Sequence, residues 1–153
     1  TVAPYMGRDS VEPFLAFPNK HTILLALTSN AGAFDFQTKN LEDKALYKQV
    51  IETSKSYANS ENLMYVVGAT RPEYLNEIRE IVPEHFLLVP GIGAQGGDLE
   101  AICKYGMSSN CGLIVNSARG IIYKSTGQNF AEAAHQEAKK LKSEMETMME
   151  KYL

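Results

Sequence analysis

The chain reads as an α/β fold built on a parallel sheet, and three observations point there. Short apolar runs alternate with longer amphipathic stretches along its 153 residues. "TILLALT", "LMYVV" and "GLIVN" are almost continuously apolar, the pattern of strands covered on both faces. Each run is followed by a segment of helical period, giving successive βα units with right-handed crossovers. Strands are expected over residues 1–4, 22–28, 63–67, 86–89 and 112–116. Two architectures fit: an open five-stranded doubly wound sheet, or five-eighths of a (β/α)8 barrel, which normally takes ~250 residues. Thr1-Val2-Ala3-Pro4 reads like a strand already in progress, which favours the second and a missing N-terminal portion.

The helices carry start signals. Ser10 precedes "VEPFL", where Pro13 is tolerable only within a first turn. Asn40 can cap "LEDKALYKQVIETSKSYA", and Thr70-Arg71-Pro72-Glu73 fits a reciprocal capping box. A shorter helix is expected over residues 97–105, ended by Gly106, and Asn129 opens the longest one. In that last helix Ala134, Ala138, Leu141, Met145, Met148 and Tyr152 form a stripe, read as packing surface.

Composition narrows the partners. The formal net charge is -3 and no Lys/Arg run occurs, which argues against nucleic acid or an anionic membrane. No apolar stretch approaches the roughly 18 residues of a spanning helix. Cys103 and Cys111 are too few for a disulfide framework and have no metal-ligand company, so they read as unpaired thiols of a cytoplasmic protein. His21, His85 and His135 are scattered and read as surface or edge residues.

In either architecture ligands bind at the C-terminal ends of strands. The loops there are "YMGRDS", "TSNAGAFD", "GATRPE", "PGIGAQGGD" and "NSARGIIY". In the fourth, Gly91, Gly93, Gly96 and Gly97 let bare backbone approach a ligand and can form an anion-binding nest. The helix that follows would add its positive end, and Gln95 a neutral donor. The spacing is neither the dinucleotide fingerprint nor a Walker loop. One unit later Arg119, in Asn116-Ser117-Ala118-Arg119-Gly120, can fork two hydrogen bonds onto phosphate. Taken alone either loop could be plain connection; together they indicate a phosphate site.

"LVPGIGAQGGD" followed by "ARGIIY" resembles the end of orotidine 5'-monophosphate decarboxylases of the longer bacterial subfamily. "TVAPYMGRDSVEPFL", "LLALTSNAGAFDFQ" and "YVVGATRPEYLNEIR" are similar to that subfamily's fourth, fifth and sixth strand loops. The resemblance implies the C-terminal five βα units of a (β/α)8 TIM barrel, with strands four to eight present. It implies that Gln95 and Arg119 grip the phosphate of a nucleoside monophosphate, OMP or UMP, with Gly93, Ala94 and Gly120 lining the grip. Ser29 would read the pyrimidine's amide edge, and Pro90, Gly91 and Ile92 would start the loop that closes over the nucleotide. Ala118 departs from the family, many members having glycine before the Arg. The family's D-x-K-x-x-D motif is absent from these residues, so no catalytic residue is assigned here. The resemblance implies no cofactor or metal, and a homodimer. The rival readings are a self-contained phospholigand-binding module and another phosphate-binding barrel, such as a sugar-phosphate aldolase or isomerase.

Overall fold

The computed structural model describes residues 1–68, 70–92 and 97–153. Its strands are β1 (Thr22–Leu27), the short β2 (Asn40–Leu41) and β3 (Lys44–Ala45), β4 (Leu63–Val67), β5 (Leu87–Pro90) and β6 (Leu113–Asn116). Its helices are α1 (Arg8–Leu15), α2 (Leu46–Ser54), α3 (Glu73–Ile81), α4 (Leu99–Gly106), α5 (Ala118–Ile122) and α6 (Phe130–Tyr152). β1, β4, β5 and β6 form one parallel sheet in that order. Val2 bridges β1 in parallel, donating to Ile23 O at 2.8 Å and accepting from Leu25 N at 2.9 Å. Every crossover therefore steps to the next neighbour in one direction. A doubly wound sheet needs a point where strand order reverses, and the described sheet has none. The winding is that of a barrel.

The expected first strand shrinks to this bridge because Pro4 lacks an N–H and opens a 3-10 turn, Pro4–Met6. The remaining four strands lie within a residue or two of expectation. Their register sets Leu24, Tyr65, Leu87 and Leu113 side by side on one face, none more than 6% exposed. α2, α3, α4 and α6 follow one another in contact along the helical layer. Each large aliphatic chain buried beneath it contributes about 2 kcal/mol. The other face carries Leu25, Val66, Leu88 and Ile114 in a row, and Ile114 at the edge is 39% exposed. Cover on both faces, expected from the apolar runs, holds among the described residues only for the central β4.

Several helix starts move. α1 begins two residues before Ser10, whose hydroxyl donates back to Gly7 O at 2.8 Å, and Pro13 falls inside the helix rather than in its first turn. Asn40 caps nothing: residues 40–45 form the β2–β3 hairpin, with Glu42 at φ 60 in its two-residue tip. α2 instead starts at Leu46, and its first N–H groups reach Lys39 O (from Leu46) and Gln37 O (from Tyr47), both at 2.9 Å. The capping box of Thr70 and Glu73 does not form, Pro72 being the cap residue of α3. Asn129 precedes α6 as expected, but its Oδ1 accepts from the Ser125 hydroxyl at 2.7 Å instead of capping backbone. In α6 the half-buried Leu141, Met145, Met148 and Tyr152 pack against the core, while Ala138 is exposed.

The N-terminal ends of β5 and β6 are tied together by one guanidinium. Arg79 donates to the carbonyls of Gly106 (2.6 Å), His85 (2.6 Å) and Gly112 (2.8 Å), and at 3.2–3.3 Å to Val82 and Pro83. Burial lowers its pKa to about 10, so it stays charged at neutral pH. His85 beside it is no surface residue at its polar atoms. Both ring nitrogens are buried without a partner among the described residues, and the ring leans on Tyr65 at 5.6 Å. Burial, then the Arg79 charge, hold its pKa below the usual imidazole value.

Candidate functional site at the strand C-termini

Hydrogen bonds stitch the C-terminal ends of β1, β5 and β6 into one rim. Ser29, two residues past β1, points its Oγ at Pro90 O across 3.5 Å. Pro90 is the last residue of β5 and pairs with Asn116, the last of β6. Gly91 N then donates to Asn116 O at 3.3 Å, with Gly91 at φ 105, a conformation that glycine adopts without strain. Ser117 Oγ donates to Ile92 O at 3.0 Å. The rim thus gathers Ser29, Pro90, Gly91, Ile92, Arg119 and Gly120. Gly93, Ala94 and Gln95 lie outside the described residues.

Pro90, Gly91, Ile92, Asn116, Ser117, Ala118 and Arg119 line a cavity of about 210 Å³. Arg119 is the second residue of the short α5 and is exposed, with no ion pair among the described residues. Ala118 is exposed as well, so its methyl group lies outside the packed core. Gly120 has a reason to lack a side chain, since a Cβ there would come within 2.7 Å of Ser117 Oγ. Ile92 departs from a simple loop residue: its side chain is 6% exposed and belongs to the core, anchoring the start of the glycine-rich segment. Ile92 and Gly97 are joined by an isolated parallel bridge.

One electrostatic expectation is corrected. The positive end of α4 is not bare: Asp98 caps it, its Oδ1 accepting from Glu100 N at 3.0 Å and Ala101 N at 3.3 Å. A carboxylate already answers that helix dipole. Positive charge at the cavity comes from Arg119.

At the other end of the rim, Ser29 is fitted against Gly68. A Cβ on Gly68 would stand 2.4 Å from Ser29 Oγ and 2.7 Å from Ser29 N. Thr28, Asn30, Thr70 and Arg71 surround a second, smaller hollow, with the Arg71 guanidinium 4.5 Å above the Phe34 ring. Gly68, Gln37 and Ser117 were missed as site residues. They act through backbone fit and hydrogen bonds, and carry no charge or spacing that marks them in a sequence. Among the described residues no three His, Cys, Asp or Glu side chains gather to hold a metal.

Barrel-type winding with polar and glycine-rich groups gathered on the strand C-terminal rim defines the class: an α/β protein of the barrel type, a class whose members bind ligands at that rim. Within it, the chain belongs to the orotidine 5'-phosphate decarboxylase / HUMPS family, whose profile matches residues 1–136. It is 68% identical over 151 residues to the orotidine 5'-phosphate decarboxylase of Christiangramia forsetii, covering 99% of this chain and 56% of that protein. It is 70% identical over 145 residues to that of Flavobacterium johnsoniae, covering 95% and 53%. The chain therefore spans about half the length of the curated relatives it matches. Among solved structures, OMP decarboxylase of Leishmania donovani superposes with a TM-score of 0.80 at 34% identity, over 95% of this chain and 55% of that one. Orotidine 5'-monophosphate decarboxylase of Methanocaldococcus jannaschii, complexed with the inhibitor BMP, gives 0.67 at 31%, over 88% and 57%.

Proposed function

We propose that these residues supply the phosphate- and pyrimidine-binding half of an orotidine 5'-monophosphate decarboxylase, which converts OMP to UMP and CO2. The observation that carries the reading is the rim that joins Ser29, through Pro90 and Gly91, to the Arg119 cavity. In this reading the chain is strands four to eight of the barrel. The half-exposed row of Leu25, Leu88 and Ile114 faces the barrel interior, where strands from the rest of the protein cover it. Arg119 and Gln95 take the phosphate, Gly93, Ala94 and Gly120 line it, and Ser29 meets the amide edge of the base. Pro90, Gly91 and Ile92 lead into a segment that closes over the nucleotide. The D-x-K-x-x-D motif, absent from these residues, comes from the remaining half and carries the chemistry. Phosphate contacts are remote from the reacting carbon, and their energy is spent on stabilising the closed, reactive state. The protein is read as a cytoplasmic homodimer. The compartment is read from its two free thiols, which a reducing environment keeps unpaired.

The test is Arg119→Ala in the full-length protein. Nucleoside monophosphate binding is expected to weaken by about 2–5 kcal/mol, the scale for removing one partner of a desolvated charge pair. Gln95→Ala should cost less, about 0.5–1.5 kcal/mol, because a neutral donor bonds the anion more weakly. Binding of the unphosphorylated nucleoside should hardly change. Equal losses for nucleoside and nucleotide would mean that Arg119 maintains structure and the assignment is wrong.

A further inference from the structure

Ser29 sits on a loop, yet its neighbours are held from an element well downstream. The side chain of Gln37 lies along Thr28: Oε1 accepts from Thr28 N at 2.8 Å, and Nε2 donates to Thr28 Oγ1 at 2.9 Å. With its lone pair so engaged, the Thr28 hydroxyl turns its proton to Asn30 Oδ1, at 2.5 Å. The residues before and after Ser29 are thereby locked in one network. The Gln37 backbone is fixed at the same time, since its carbonyl takes the N–H of Tyr47 in the first turn of α2. A primary amide is suited to this task, having an acceptor for a backbone N–H and a donor for a hydroxyl on one rigid plane. Gly68 closes the arrangement from the β4 side, where no side chain would fit between it and Ser29.

We propose that Gln37 is the positioning residue for Ser29, acting through Thr28 and Asn30 to hold the serine at the angle at which it meets the base. This rests on the reading of Ser29 as the base-reading residue. Gln37 itself is a clamp, and its effect is confined to the base end of the ligand; the phosphate end, organised by β5 and β6, is independent of it.

The experiment compares UMP with ribose 5-phosphate, which keeps the phosphate and sugar but lacks the base, as ligands of the full-length protein. Three variants are used: Gln37→Met, which keeps length and loses both hydrogen bonds, Gln37→Glu, which keeps an acceptor for Thr28 N, and Ser29→Ala. Gln37→Met should reduce the preference for UMP over ribose 5-phosphate by ~10- to 100-fold, the scale for slight misplacement of a binding group. Gln37→Glu should lie between Gln37→Met and the parent. If Gln37→Met weakens both ligands equally, its role is general folding and the proposal is wrong. If Ser29→Ala loses the preference while Gln37→Met keeps it, Ser29 reads the base without Gln37, and only this inference fails. If Ser29→Ala keeps the preference, the reading of Ser29 itself fails and takes the inference with it.

Discussion

His85 and Arg79 stand side by side at the end of the sheet opposite the rim, and one of them is a cation at neutral pH. Burial and that neighbour keep the imidazole pKa below its ordinary 6.5 in the folded state. The unfolded chain then binds a proton that the folded chain refuses, so stability rises with pH. The contribution is whole above about 6.5 and is lost as pH falls through that value toward the depressed one. The denaturation midpoint of the full-length protein should drop from about pH 7.5 to about pH 5.5, and His85→Phe should flatten that slope. Glu77, Glu100 and Glu137, held below 4.5 mainly by bonds from Tyr47, Lys151 and Lys124, lose their contribution only at lower pH and leave this window clear. None of this was legible in "PEHFLL", where a histidine before an apolar run looks like an edge residue. Its burial follows from Tyr65 on β4 and Arg79 on α3, which approach it only after folding. The place of Arg119 at the rim was legible because charge, glycine and strand end coincide within five letters. Gly68 was visible as a letter, and its reason was hidden in the distant Ser29.

Among the elements, α4 shows how a local rule yields a correct helix and a wrong electrostatic role. Its glycine-rich entry and terminal Gly106 announced a helix near residues 97–105. Asp98, one letter within that window, is the cap, and a capping aspartate answers the N–H groups a ligand would otherwise use. Asp98→Ala should destabilise the protein by about 1 kcal/mol, read as a shift in denaturation midpoint at neutral pH. The β2–β3 hairpin was illegible for the converse reason. "NLEDK" has the polar cap and acidic first turn of a helix, and its tip puts Glu42 at positive φ with no glycine or asparagine to signal it. Backbone carbonyls from residues 37 and 39 supply the true start of α2, and no side-chain pattern records them.

For the molecule as a whole, strand existence and parallel sense were written in the apolar runs, whereas winding was not. Only the observed order, Val2 beside β1 and then β4, β5 and β6, separates barrel from doubly wound sheet. The continuous apolar runs asked for cover on both faces, and the described residues provide it fully only along β4. Chemistry follows the same division. On the proposed reading these 153 residues by themselves are expected not to decarboxylate orotidine 5'-monophosphate, and the proposed N-terminal portion added in trans should restore some turnover. Release of CO2 by the rigorously purified chain would show that the catalytic groups have been placed in the wrong half.

The seam beneath α6 carries a chemical exposure of its own. Met145 sulfur lies 3.9 Å from Cys103 Sγ on α4, and Met148 packs nearby along the same stripe. Burial pushes the Cys103 thiol up to about 11, which leaves it a poor nucleophile, so within this seam the thioethers are the groups open to oxidation. A sulfoxide would set a polar oxygen into that apolar seam and loosen α6 from α4 and from α5, the helix that carries Arg119. Mild oxidant should therefore erode nucleotide affinity in step with sulfoxide at Met145, and Met145→Leu, which keeps the volume without the sulfur, should resist the same treatment.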